Sequence, residues 1–159
     1  MLSSDEQQWR QGTCMMLGEL EQQLQRTVAE GRIGTPVALR VHLQSAGDGT
    51  PVGDFVYAIF MARSLFGNPP ERVMVRGDLH QQATALVTYA SGATLVVSAG
   101  RCSGETSTIQ LLLIGNHGIA NLEPAPFIGG WPANASIESA HWQKCLSESH
   151  ATGKAVAIS

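Results

Sequence analysis

The chain has little charge, few cysteines and no long apolar run. Asp, Glu, Lys and Arg make up 14% of its 159 residues, and the net charge is −3. The ten basic residues are scattered rather than clustered. No patch therefore neutralises a row of phosphates, and nucleic-acid binding is disfavoured. So few charges also leave a weakly charged surface on which a partner can sit. No apolar stretch approaches the ~18 residues that a membrane helix needs. The opening residues, MLSSDEQQWR, are polar and acidic, unlike a secretory signal. Cys14, Cys102 and Cys145 are odd in number and lack a C-x-x-C pair. They read as free thiols in a reducing compartment, so a cytoplasmic location is expected.

What is present is enough for one domain over residues 1–159. The sequence is 43% hydrophobic, and a chain of this size buries ~70% of its unfolded surface. The organising stretch runs from Thr84 to Leu122. Ala85, Val87 and Tyr89 alternate with Thr84, Leu86 and Thr88, as in a strand with two unlike faces. Ser91-Gly92 turns the chain into a second run, Ala93–Ala99, because glycine accepts the positive φ of a tight hairpin. A third run, Ile109–Ile114, closes at Gly115-Asn116-His117-Gly118. Together they read as a three-stranded meander.

Upstream, Ser3 or Ser4 can cap a helix. Trp9, Thr13, Met16, Leu17, Leu20, Leu24 and Val28 recur at helical spacing, and the helix should stop at Glu30-Gly31. Gly12 and Gly18 weaken its first half. Val37, Leu39, Val41 and Leu43 alternate with Ala38, Arg40, His42 and Gln44, predicting a strand with one buried face. Asp54–Phe66 predicts a second helix, stopped by Gly67-Asn68-Pro69-Pro70. Arg72–His80 predicts a strand with Val73 and Val75 inward. Glu123–Ala133 is rich in proline and glycine and reads as an ordered loop. Ser136–Ser149 predicts a third helix with Ile137, Trp142, Cys145 and Leu146 buried, and the tail a short edge strand. The fold class that follows is α+β: an open, mostly antiparallel sheet of five or six strands with helices on one face. Its other face, with Arg40, His42, Gln44, Thr84 and Thr88, can meet water or a second sheet.

Several residues bear weighing for chemistry. Tyr57 either lines a ligand pocket or packs half-buried, and the second is the simpler account. Asp54 fits a helix-start carboxylate better than an acid catalyst. His42, beside Arg40, can meet an anionic ligand or a subunit, or stay solvated. His141, Cys145 and His150 have partial zinc spacing, but two ligands on one helix turn do not make a site, so no metal is assigned. Cys102 next to Arg101 has no base placed by sequence, and His117 reads as a turn residue. Phe127 and Trp131 can form a lid over a ligand or simply pack their loop. Gly47-Asp48-Gly49 is a lone fragment, and no G-x-G-x-x-G follows a strand.

The order of elements, with the segments Glu30–Val41, Gly53–Gly67, Ala85–Gly92 and Leu111–Leu122, resembles the C-terminal domain of the Gfo/Idh/MocA oxidoreductases over roughly residues 14–122. The resemblance implies a domain that closes over a sugar or polyol, while a separate N-terminal Rossmann domain binds NAD(P) and supplies a lysine. Neither that domain nor its lysine is recognisable here. The family's proton-transfer aspartate and histidine fall at Gly53 and Tyr57, with Asp54 one residue off. No catalytic residue is assigned; Tyr57 and Asp54 are the candidates, and His42, Tyr57 and Trp131 are the candidates for ligand binding.

The leading expectation is thus a stand-alone domain, non-catalytic, that oligomerises or binds a small sugar-like ligand. It would be a homodimer through the open sheet face, with no cofactor of its own and not by itself an NAD(P)-dependent dehydrogenase. The alternative is the substrate subunit of a split oxidoreductase whose Rossmann subunit brings NAD(P), with Tyr57, Asp54 and His42 lining the substrate side. A cofactor-free lyase or isomerase using Tyr57 is a third reading. A truncated gene is a fourth, against which a start at Met1 followed by a helix cap speaks.

Overall fold

The structure, a computed structural model, describes residues 15–46, 52–102, 106–128 and 137–158. Eleven elements follow in order: β1 (Met15–Met16), α1 (Leu17–Ala29), β2 (Pro36–Ala46), α2 (Val52–Phe66), β3 (Pro70–Asp78), β4 (Gln82–Tyr89), β5 (Thr94–Cys102), β6 (Ser107–Gly115), β7 (Ile119–Ile128), α3 (Ile137–Thr152) and β8 (Val156–Ala157). The strands form one open mixed sheet in the order β1-β7-β6-β2-β5-β4-β3-β8. Only β1–β7 and β2–β5 pair in parallel, so the sheet is mostly antiparallel, as the sequence implied. Six strands are long, and the two at the edges have two residues each.

Period-two burial runs through the strands β2 to β6. Leu39, Val41 and Leu43 on β2, Val73 and Val75 on β3, Leu95 and Val97 on β5, and Ile109, Leu111 and Leu113 on β6 all face the helices. Burying each such side chain contributes roughly 1.5–3 kcal/mol. On the other face Arg40, His42 and Gln44 are exposed. Val37 departs from its expected burial. It is 42% exposed and sits where the register with β6 shifts, between the pairs Pro36–Gly115 and Ala38–Ile114.

The helix α2 is apolar nearly all round, with Phe55, Ala58, Ile59 and Ala62 fully enclosed. Such a helix must be covered on every side. The sheet covers one side, while α1 and α3 flank it. Tyr89 reaches up from β4 to donate its hydroxyl to the Ile59 carbonyl at 3.1 Å, and Phe60 stacks at a tilt on Trp142 of α3. The first helix ends where glycine allows: Gly31 has φ 74°, and its N–H bonds the Val28 carbonyl.

Three expectations need correction. The first helix begins at Leu17, because Met15 and Met16 lie in a strand alongside Phe127 and Ile128; the cap at Ser3 or Ser4, Trp9 and Thr13 lie outside the described residues. The run Ala93–Ala99 and the run Ile109–Ile114 are not neighbours. The strand β2 slots between β5 and β6, parallel to one and antiparallel to the other. Finally, residues 123–128 are strand rather than loop, extending β7 to Ile128. Prolines are tolerated there because β7 lies near the sheet edge, paired on its outer side by just the two residues of β1.

Candidate functional site

The residues singled out on α2 sit in its first half, above the end of β2. Asp54 is 6% exposed. Its Oδ2 accepts a hydrogen bond from Ser45 Oγ at 2.9 Å. Ser45 shares the helix-facing side of β2 with Leu43, two residues earlier. A carboxylate in the first turn is also favoured by the helix dipole. Asp54 thus ties the start of α2 to the end of the central strand.

Tyr57 is 9% exposed, one turn further on. Its phenol hydrogen-bonds the Glu21 carboxylate of α1. Burial pushes the Tyr57 hydroxyl up to about 12, and the Glu21 charge and hydrogen bond push the same way. The phenol therefore stays protonated at neutral pH. It is a poor base there.

The other candidates do not converge on this pair. His42 is exposed on the opposite face of the sheet, so the grouping of Tyr57, Asp54 and His42 on one substrate side does not form. Trp131 lies outside the described residues, as do Cys14 and Gly47-Asp48-Gly49. His117 is a turn residue, its N–H bonded to the Ile33 carbonyl at 2.9 Å. The Cys102 thiol lies 3.7 Å from the Thr106 carbonyl. His141 Nε2 stands 3.8 Å from Cys145 Sγ, but His150 Nε2 bonds the Gly77 carbonyl at 3.0 Å instead. Among the described residues no three His, Cys, Asp or Glu side chains gather as a metal site.

A dinucleotide needs a glycine turn leading from strand into helix. The described glycines with positive φ are Gly31, Gly34, Gly67, Gly77, Gly92 and Gly153. None of them joins a strand to a following helix. The loops that lead from β2 into α2 and from β7 into α3, residues 47–51 and 129–136, lie outside the described residues. Among the described residues no helix is long and apolar enough to cross a membrane.

Ser45 and Glu21 were not singled out by sequence reasoning. A signal existed for each. Ser45 keeps the parity of Leu39, Val41 and Leu43, and Glu21 follows Leu20 on the flank of the stripe that Leu24 continues.

Comparison with protein families matches residues 22–121 to the GFO/IDH/MocA C-terminal domain. Comparison with curated protein sequences returned no match. Among solved structures, scyllo-inositol dehydrogenase from Lactobacillus casei with bound NAD(H) and scyllo-inositol superposes with a TM-score of 0.69 at 12% identity, covering 87% of this chain and 61% of that one. Myo-inositol 2-dehydrogenase from Lactobacillus plantarum gives 0.70 at 12% identity, with 87% and 61% covered. A myo-inositol dehydrogenase from Corynebacterium glutamicum gives 0.71 at 13% identity, again with 87% and 61% covered. The chain thus spans about three-fifths of the length of these structures.

Proposed function

Because the chain belongs to the GFO/IDH/MocA family through its C-terminal domain, we propose that it acts as a substrate-side domain without catalysis of its own, binding a small cyclic polyol and associating as a homodimer. The observation that carries this reading is the commitment of the two candidate polar groups. The Asp54 carboxylate is held by Ser45, and the Tyr57 phenol by Glu21. Both interactions tie the start of α2 to neighbouring elements, which favours a structural role for the two groups. The ligand class is drawn from the structural relatives, which are inositol dehydrogenases.

The dimer is supported by the open sheet face. Six long strands, spaced ~4.8 Å apart and rising ~3.4 Å per residue, make a face of several hundred Å². That is of the order of the ~800 Å² per partner in a stable interface. Leu86 and Ile119 are 39% and 64% exposed, and a covering partner would remove that apolar area from water.

A second reading has one observation in its favour. The chain spans about three-fifths of the matched dehydrogenases, so a separate Rossmann subunit bringing NAD(P) would complete an oxidoreductase. Asp54 and Tyr57 would then stand on the substrate side, without His42.

Native mass spectrometry of the purified chain, followed by a melting assay with myo-inositol and a dehydrogenase assay with NAD+, tests both. The first reading expects a dimer, a melting shift with the polyol and no NADH. A co-purifying nucleotide-binding polypeptide whose complex reduces NAD+ would replace it with the second.

A further inference from the structure

Resting on the face-to-face homodimer proposed above, we infer that Arg40 of each copy pairs with Asp78 of the other, and that this pair sets how the two sheets register. Arg40 rises from an apolar row that crosses the open face. Its neighbours in register are Val96 on β5 and Leu112 on β6. Leu86 and Met74 continue the row across β4 and β3. Along its own strand the same face holds Ala38 and His42. No described residue forms an ion pair with Arg40.

A partner sheet that covered this row would enclose an uncompensated guanidinium, which strongly disfavours association unless the partner brings a carboxylate. Asp78, at the end of β3, is an acidic residue at an open-face strand position. It is exposed, and its Oδ1 takes the His80 N–H at 2.8 Å, which holds the side chain in place. The other arginines of this face are less central. Arg76 Nη1 donates to the Gly153 carbonyl, and Arg72 lies at the edge beside Ala157 of β8.

The placement is self-complementary. Strands β5 and β4 separate β2 from β3. Asp78 also lies further along the sheet, since Met74 and not Asp78 is level with Arg40. The two residues are therefore roughly 20 Å apart on one face. A two-fold axis lying between the sheets, perpendicular to the line joining them, carries each Arg40 over the other copy's Asp78. In an isologous interface both pairs then form at once. A long arginine facing a short aspartate suits the ~10 Å gap between packed sheets.

The test is sedimentation equilibrium on wild type, Arg40→Asp, Asp78→Arg, the double exchange, and Arg72→Asp as a control of the same face and charge change. Circular dichroism and melting on each variant report folding. Each single exchange at Arg40 or Asp78 should weaken the dimer by at least about tenfold, because it sets like charges opposite each other. The double exchange should return to within about threefold of wild type, since it restores both pairs. Arg72→Asp should stay within about threefold of wild type. Folded single variants with unchanged dimerisation, or a double exchange no better than the singles, would overturn the pairing while leaving the dimer intact. A wild type that remains monomeric at tens of micromolar would instead overturn the homodimer reading beneath it.

Discussion

The Ser149 hydroxyl of α3 accepts a hydrogen bond from Val75 N of β3 at 2.9 Å. The same oxygen donates to the Lys154 carbonyl at 2.6 Å, and Ser149 is 0% exposed. The strand β8 pairs with β3 at Arg72 and Val73, so the ladder stops short of Val75. One hydroxyl thus finishes the sheet edge and closes the turn after α3. Ser149→Ala should leave a buried donor without a partner and destabilise the fold by about 1–3 kcal/mol. Urea unfolding of the variant checks this, and an unchanged midpoint would mean that water replaces the hydroxyl.

Gly115 marks a close backbone approach. A Cβ built there would overlap the Ile33 carbonyl oxygen. Its turn is knitted to the segment before β2: His117 N bonds the Ile33 carbonyl, and Asn116 N the Thr35 carbonyl. Asn116 Oδ1 in turn accepts from Thr35 N at 2.9 Å. Gly115→Ala should therefore force two backbones apart and cost several kcal/mol. Gly92 differs, because its φ is +87° but nothing lies within 4 Å. Gly92→Ala meets only the dihedral penalty of about 1–2 kcal/mol. Thermal melting of both variants should rank them in that order.

The long strands were legible where one face is buried and the other wet. Leu39, Val41 and Leu43 repeat every second residue because helices cover that side alone. Partner choice was not legible. Nothing local in Ala93–Ala99 says that β2, rather than β6, lies beside it. The strand β7 was hidden by Pro124 and Pro126, which read as loop although an edge tolerates them. The site was half legible. Periodicity placed Asp54 and Tyr57 on α2, but their partners, Ser45 and Glu21, come from other elements. Local spacing carries no record of such contacts.

Tyr57 should give the fold an alkaline weakness. Its hydroxyl is raised from 10.0 to about 12 in the folded state, by burial first and by Glu21 second. Between those values the folded chain holds a proton that the unfolded chain has lost, so stability falls as pH rises from about 10 toward 12. Below pH 10 the contribution is fully present. Tyr57→Phe should cost about 1 kcal/mol at neutral pH, by loss of the hydrogen bond to Glu21. It should also flatten part of the alkaline limb. Tyr89, raised further by burial alone, keeps the rest. Urea midpoints of both proteins from pH 8 to 11.5 measure the difference. Parallel limbs would mean that the Tyr57 phenol does not titrate with unfolding.

Cys145 and Cys102 should react differently with a thiol reagent. Cys145 lies buried on α3. Burial pushes its thiol up and the Glu148 charge adds to this, while Lys144 opposes both. Cys102 is partly exposed at the end of β5. The thiolate is the nucleophile, and it must also be reached. A short iodoacetamide pulse at pH 8 on the native protein, read by peptide mass spectrometry, should therefore label Cys102 well before Cys145. In urea the two rates should converge, because unfolding removes the burial that separates them. Equal rates in the native protein would show that α3 opens from the sheet faster than the reagent reacts. The Ser149 contacts to Val75 and Lys154 would then be too weak to hold the helix closed.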